Sequence, residues 1–191
     1  MKLFTSDLHH SHRNIVKFTQ RGRYTNQAEH DLWLQEVWNR EVQKSDLVYH
    51  LGDFSFAKHY DEIALFASKL NGQKIFIKGN HDSRENLNRL VKDGLIQAWY
   101  DYKEIKLGDT SVVLFHFPIT SWHKQGHGSW HLHGHCHGNL KDEHKIGLSL
   151  DVGIDNSIQE DNCAGFYTEN EISRIMKDKQ LQIADNHREN I

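Results

Sequence analysis

Five times along this chain a run with apolar residues stops and gives way at once to side chains that can hold a metal. That recurrence limits the possible fold more than any other feature. The five groups are Asp7-Leu8-His9, Gly52-Asp53, Gly79-Asn80-His81-Asp82, Phe115-His116-Phe117-Pro118 and Gly134-His135-Cys136-His137. The runs before them, Lys2 to Thr5, Leu47 to Leu51, Lys74 to Ile77, Ser111 to Phe115 and Ser129 to His133, read as strands. Helical spacing marks much of what lies between. Leu34, Val37, Trp38 and Val42 share one face and predict a helix over 27–41. Ile63, Phe66, Ala67 and Leu70 predict a second over 60–70, ended by Asn71-Gly72. Ser83 can cap a third through about Val91, and Thr168 with Glu171 forms a capping box for a last one. Trp99 to Leu107 and Ser111 to Phe115 read as two strands joined at Gly108-Asp109, and Gly147 to Val152 as a further strand. Strand–helix alternation followed mainly by strands predicts a layered α/β domain with helices outside two packed sheets. One domain over 1–178 and a polar C-terminal tail over 179–191 complete the expected organisation.

Composition narrows the function. In 191 residues, 23 basic side chains stand against 26 acidic ones, a net charge of −3, so a dedicated duplex nucleic-acid module is not expected. No apolar stretch approaches the roughly 18 to 20 residues of a bilayer span, so no membrane partner is expected. The N-terminus reaches Asp7 with no signal-peptide core, and Cys136 and Cys163 make no disulfide framework, so a cytoplasmic location is the expectation. Out of line are the 16 histidines, since imidazole is the commonest metal ligand and the usual proton carrier near neutral pH.

In an extended segment residues i and i+2 point the same way, about 6 to 7 Å apart. Asp7 with His9, and His135 with His137, are therefore expected to face one site in pairs. Carboxylate, imidazole and amide oxygen together suit borderline divalent metals such as Mn, Fe, Zn, Ni or Co. Seven or eight such groups exceed the needs of one ion, and two ions about 3.5 to 4 Å apart, sharing a carboxylate, would use them all.

The order D-x-H, G-D, G-N-H-D, H, G-H-x-H resembles the calcineurin-like metallophosphoesterase superfamily, in particular its small single-domain prokaryotic and phage members. Thr5-Ser6-Asp7-Leu8-His9 with His12-Arg13-Asn14-Ile15, and Val48-Tyr49-His50-Leu51-Gly52-Asp53-Phe54, carry the likeness furthest, and the match runs from residue 1 to about 155. The resemblance implies a double β-sandwich of two mixed sheets flanked by helices. It implies that Asp7, His9, Asp53 and His137 hold one divalent ion. Asp53 would bridge to a second, completed by Asn80, His116 and His135, with manganese preferred. It implies further that His81 protonates the leaving group and that Asp82 orients His81. Cys136, where many relatives carry Thr or Ser, is the visible departure.

Such a centre would attack phosphoesters with a metal-bridging hydroxide. Two divalent ions against Asp7, Asp53 and that hydroxide leave about +1, which attracts phosphate to an acidic chain. The expected partner is a small phosphoester or nucleotide-like substrate, with diesters slightly favoured over monoesters. His10, His12, Arg13 and Asn14 follow the first group and, with Arg84 and His123, are the candidate substrate contacts. An exposed loop or a packed ring is the alternative for each. Trp122 and Trp130 could stack a base, although packing is the commoner use of tryptophan. His131 and His133 alternate with the ligands His135 and His137. His30, His59, His144 and His187 read as surface residues, and Cys163 as a small apolar filler. A non-catalytic protein-binding scaffold on the same fold is the alternative function; its mark would be loss of ligands or of His81, and neither is lost.

Overall fold

In the computed structural model, residues 1–19, 21, 26–159 and 165–182 are described. The order of elements is β1 (Lys2–Thr5), α1 (Ile15–Phe18), α2 (Gln27–Glu41), β2 (Leu47–His50), α3 (Tyr60–Ser68), β3 (Gln73–Ile77), α4 (Arg84–Lys92), β4 (Ala98–Tyr100), β5 (Tyr102–Leu107), β6 (Thr110–Phe115), β7 (Trp130–His133), β8 (Ser149–Asp151), α5 (Ile154–Gln159), β9 (Tyr167–Thr168) and α6 (Glu169–Lys177). Alternation along β1 to β3 sends successive residues to opposite faces of a sheet. Leu3, Val48 and Phe76 enter one core with Leu34, Val37 and Trp38 of α2, Ile63 and Phe66 of α3 and Leu87 and Leu90 of α4. Phe4, Tyr49 and Ile77 enter the other, where they meet Leu107, Val112, Leu114, Leu132 and Leu150 of a second sheet. Both faces of the first sheet are thus buried, as its parallel strands require.

The first sheet has the order β4-β3-β2-β1-β9, parallel except for β9, and the second the order β5-β6-β7-β8, parallel except for the β5–β6 hairpin. The result is two mixed sheets face to face with helices outside, the fold class read from the sequence. Capping agrees with the local signals: Asn26 accepts from the Glu29 amide, Ser83 from the Asn86 amide, and Thr168 and Glu171 close a capping box. One strand reading needs correction. The stretch 99–107 is two strands in different sheets, β4 beside β3 and β5 beside β6, separated by Asp101 alone. The tail is docked at its start, where Lys179 donates to the Ser149 carbonyl and Gln182 accepts from the Gly147 amide. Residues 183–191, with His187, and Cys163 lie outside the described residues.

Two histidines lie fully buried in these strands, His50 in β2 and His131 in β7, and burial pulls each imidazole down to about 3. Such a group stays neutral in the folded chain and gains a proton on unfolding once the pH drops below its free value near 6.5. Its stabilising share is complete above that value and is lost as pH falls towards 3, at about 1.4 kcal/mol per pH unit. Urea unfolding at stepped pH should therefore steepen in acid, and His131→Gln should flatten the slope by about that amount. An unchanged slope would show that His131 does not titrate between the two states.

Candidate metal centre

Because β1, β2 and β3 are parallel, as are β6 and β7, their C-terminal ends gather along one edge of the molecule. Chain ends of this kind are where layered α/β proteins place ligands. Asp7 and His9 follow β1, Asp53 follows β2, Asn80 and His81 follow β3, His116 follows β6, and His135 and His137 follow β7. Hydrogen bonds lace these turns together. The Asp7 and His9 amides donate to the Gly52 and Asp53 carbonyls at 2.9 and 3.1 Å, and the His135 amide donates to Asp7 Oδ2 at 2.9 Å. A Cβ at position 79 or 134 would strike the Asp53 or the Asp7 carboxylate, so glycine there lets the turns close on the acids.

Two groups of metal-ligating atoms result. Asp7, His9 and His137 offer ligand atoms within 4.8 Å of one another, and so do Asp53, His116 and His135. Between the groups stands Asp53 Oδ2, 3.7 Å from His9 Nε2 and 3.6 Å from His116 Nε2. The Asn80 amide oxygen lies 2.9 Å from His116 Nε2 and 3.0 Å from His135 Nδ1. The donor set fits a cation. Asp7 Oδ1 and both ring nitrogens of His9 are buried with no hydrogen-bond partner, a costly state for bare polar atoms. His116 Nδ1 donates to the Leu51 carbonyl at 2.7 Å, the tautomer that leaves a lone pair on Nε2. That lone pair then faces the oxygens of Asn80 and Asp53, three acceptors that a cation satisfies together.

Burial pushes the Asp7 carboxyl well above the usual carboxylate range; Asp151 and Asp53 add to the rise and His137 opposes it. His9 is held far below the ordinary imidazole range by burial and by its cationic neighbours, which keeps the ring neutral with a lone pair on one of its nitrogens. His135 is lowered too, by burial and then by His116.

The pairing of Asp7 with His9 does not come from an extended chain. Asp7, His9, Asp53, His135 and His137 have φ of 59, 54, 58, 71 and 51°, all in the left-handed region. For a side chain other than glycine that region is sparsely occupied, although Asp and His enter it more readily than most, and clusters of such strain mark functional sites. The consequence is clearest at His135 and His137: the pairing expected of an extended chain fails, and the two rings go to different groups, the division that the resemblance implied.

A buried network behind the centre escaped the sequence reading. Arg21, 1% exposed, grips both oxygens of Asp155 at 2.7 Å and donates to the carbonyls of Leu8 at 2.7 Å and Asp7 at 2.6 Å. Asp155 in turn accepts from His137 Nδ1 at 2.7 Å, which turns Nε2 outward as a ligand. Burial alone would lower the His137 pKa, but the Asp155 hydrogen bond and the Asp7 and Asp155 charges raise it. His30, expected at the surface, is fully buried with Nε2 3.2 Å from Arg21.

Of the candidate catalytic pair, His81 lies at the rim with its ring half exposed and Nε2 4.0 Å from Asp53 Oδ2. Asp82 does not orient it: the Asp82 carboxylate accepts the backbone amides of Asp53, Phe54 and Gly79 at 2.8, 3.0 and 2.9 Å, tying two ligand turns together. Among the expected substrate contacts only His12 sits beside the centre, its ring centroid 5.4 Å from that of His9. His10 turns away to stack on Phe66 and bond Ser55. Arg13 and Asn14 are exposed around α1. Arg84 pairs with Asp101 and lies over Trp99, and His123 pairs with Glu104, both on the outer surface. His131 and His133 are buried, with His131 against Trp122 and bonded to the Phe117 carbonyl.

No protein-family model matches the chain. Among solved structures, a protein of unknown function, AQ665 from Aquifex aeolicus, aligns with TM-score 0.69 at 22% identity, over 92% of this chain and 98% of its own. That likeness bears on the fold. A phosphoesterase of E. coli, Yfce, aligns at TM-score 0.41 and 15% identity over 80% of this chain and 78% of its own, too remote to define function. Among the described residues, no helix is long and apolar enough to cross a membrane. The uncharacterized protein MJ1445 of Methanocaldococcus jannaschii is 34% identical over 140 residues, 73% of this chain and 70% of its own length. The Gene 66 protein of Mycobacterium phage D29 is 31% identical over 160 residues, covering 72% of this chain and 78% of that protein. At that identity and coverage, the chain belongs to the same family as these archaeal and phage proteins.

Proposed function

We propose that this protein is a metal-dependent phosphoesterase that hydrolyses phosphodiesters, and less readily phosphomonoesters, of small or nucleotide-like substrates. The observation that carries the reading is Asp53 Oδ2, a single carboxylate oxygen facing His9 of one ligand group and His116 of the other. Asp7, His9, Asp53 and His137 would hold one divalent ion, and Asp53, Asn80, His116 and His135 a second, with manganese preferred over iron, zinc, nickel and cobalt. When bound, such ions supply an activated water and positive charge against the phosphoryl oxygens. The chain's own residues do the rest. His81, open to solvent at the rim, carries the proton that the departing alcohol oxygen needs. Asp82 keeps the turns after β2 and β3 in register, so Asp53 and Asn80 stay aimed at the same space. The reading places the protein in the cytoplasm, acting on a small phosphoester or nucleotide-like substrate.

The test is hydrolysis of bis-p-nitrophenyl phosphate and p-nitrophenyl phosphate by chelated protein, before and after addition of Mn, Ni, Zn or Mg. Activity should return with metal, and Asp53→Asn should remove it while lowering bound metal below two per chain. Silence with every metal would favour a non-catalytic scaffold on this fold. Full activity in Asp53→Asn would overturn the shared-carboxylate site.

A further inference from the structure

Beside the first ligand group lies an open groove of about 320 Å³, walled by Ile15 and Phe18 of α1, by His12 and Phe56, and at its inner end by His81 and His137. Phe56 is stacked flat on His12, with centroids 4.1 Å apart and 11° between planes, and stands 4.3 Å from the His81 ring. Phe18 is 70% exposed at the outer end. A large ring so open to water gives up the roughly 25 cal/mol per Å² that burial returns, and in a walled groove the geometry invites a second flat surface. A neighbouring cavity of about 260 Å³ shares Phe56 and His81 but reaches none of the ligand residues, and Asp82, Ser83 and Asn86 line it. Of the two cavities, only the first opens onto a ligand group, through His9 and His137.

We propose that this groove receives the organic group of the departing alcohol, and that Phe18, Phe56 and His12 select a flat aromatic ring there. The inference rests on the phosphoesterase reading and names the substrate class for it. In hydrolysis the P–O bond to the alcohol breaks, a water oxygen takes its place on phosphorus and gives up a proton to solvent, and the alcohol oxygen takes its proton from His81, which solvent then reprotonates. Its substituent must then lie on the His81 side, and the groove is the space found there. An aryl or nucleobase-bearing alcohol fits; a short alkyl alcohol would leave Phe18 bare.

The two readings are separated by calorimetric binding of benzylphosphonate and methylphosphonate, neither of which can be hydrolysed, to the manganese-loaded full chain. Benzylphosphonate should bind about tenfold more tightly, the scale expected for burying one ring face. Phe18→Ala should bring the ratio near one, and Phe18→Tyr should keep it. Because Phe18 is exposed, its substitution leaves the core intact, and circular dichroism of the variants confirms that. Equal binding of both probes by the unaltered protein would overturn the groove assignment and leave the phosphoesterase reading standing. A ratio that survives Phe18→Ala would place the ring elsewhere and overturn it as well. Binding of neither probe would overturn the phosphoesterase reading itself, and this inference with it.

Discussion

Arg21→Met is expected to destabilise the protein by about 3 to 5 kcal/mol, the usual cost of removing one partner from a buried ion pair. The guanidinium is buried and makes two hydrogen bonds to Asp155 and two to the carbonyls of Asp7 and Leu8. Its loss leaves the buried Asp155 carboxylate with the His137 hydrogen bond alone and takes a donor from two buried carbonyls at once. Those carbonyls belong to the turn that holds Asp7 and His9 in the left-handed region, so the same change should loosen the first ligand group. Urea unfolding reads the first effect, and metal titration by calorimetry reads the second. The double variant Arg21→Met with Asp155→Leu separates them. It removes both charges, so much of the stability should return. His137 then lacks the acceptor that fixes its ring, and metal affinity should stay about 10- to 100-fold down. A loss below about 1 kcal/mol in Arg21→Met would show that the pair is no stronger than a surface one.

This network explains why part of the site was legible in the sequence and part was not. Ligands sit where a strand ends at glycine or a polar residue, and that signal survives in one dimension because alternation, glycine and histidine can each be seen locally. The partners of those ligands carry no such mark. Arg21 and Asp155 are 134 positions apart, and each alone looks like an ordinary surface charge. Asp82 was legible as a residue of the site but not in its role, because its three contacts are backbone amides, which every residue carries. The same limit applies to the fold. Helices α2, α4 and α6 are found from apolar spacing and caps, whereas α1 and α5, with four and six residues, are too short to show a period. The break at Asp101 was missed because β4 and β5 are both strands; only their partners differ.

Histidine excess also resolves by position. His9, His116, His135 and His137 converge on the ligand groups, while His50 and His131 are neutral core residues and His10 and His30 are packed behind the turns. Histidine tolerates the left-handed backbone better than most side chains, and three of the five candidate ligands in that conformation are histidines. Tight turns at strand ends and imidazole ligands are therefore two sides of one requirement. A backbone that folds back within two residues is what lets His135 and His137 serve separate groups.

Replacing His81 should cost turnover without costing metal. In His81→Ala, hydrolysis of diesters with poor leaving groups should fall by about 10² to 10⁴, the range a positioned general acid supplies. For p-nitrophenolate, which departs without a proton, the loss should be much smaller. The contrast follows from geometry: His81 Nε2 is 4.0 Å from Asp53 Oδ2, its ring is half exposed, and it is in neither ligand group. Metal content and affinity should accordingly stay as in the unaltered protein. His81 is anchored through its backbone, where its amide donates to Asp53 Oδ1 at 2.9 Å, and that bond persists in alanine. A rate loss caused by collapse of the turn would therefore appear as lost metal, and a loss of the acid alone would not. Equal losses on good and poor leaving groups with metal retained would assign His81 to binding phosphate. An unchanged rate on poor leaving groups would remove it from the chemistry altogether.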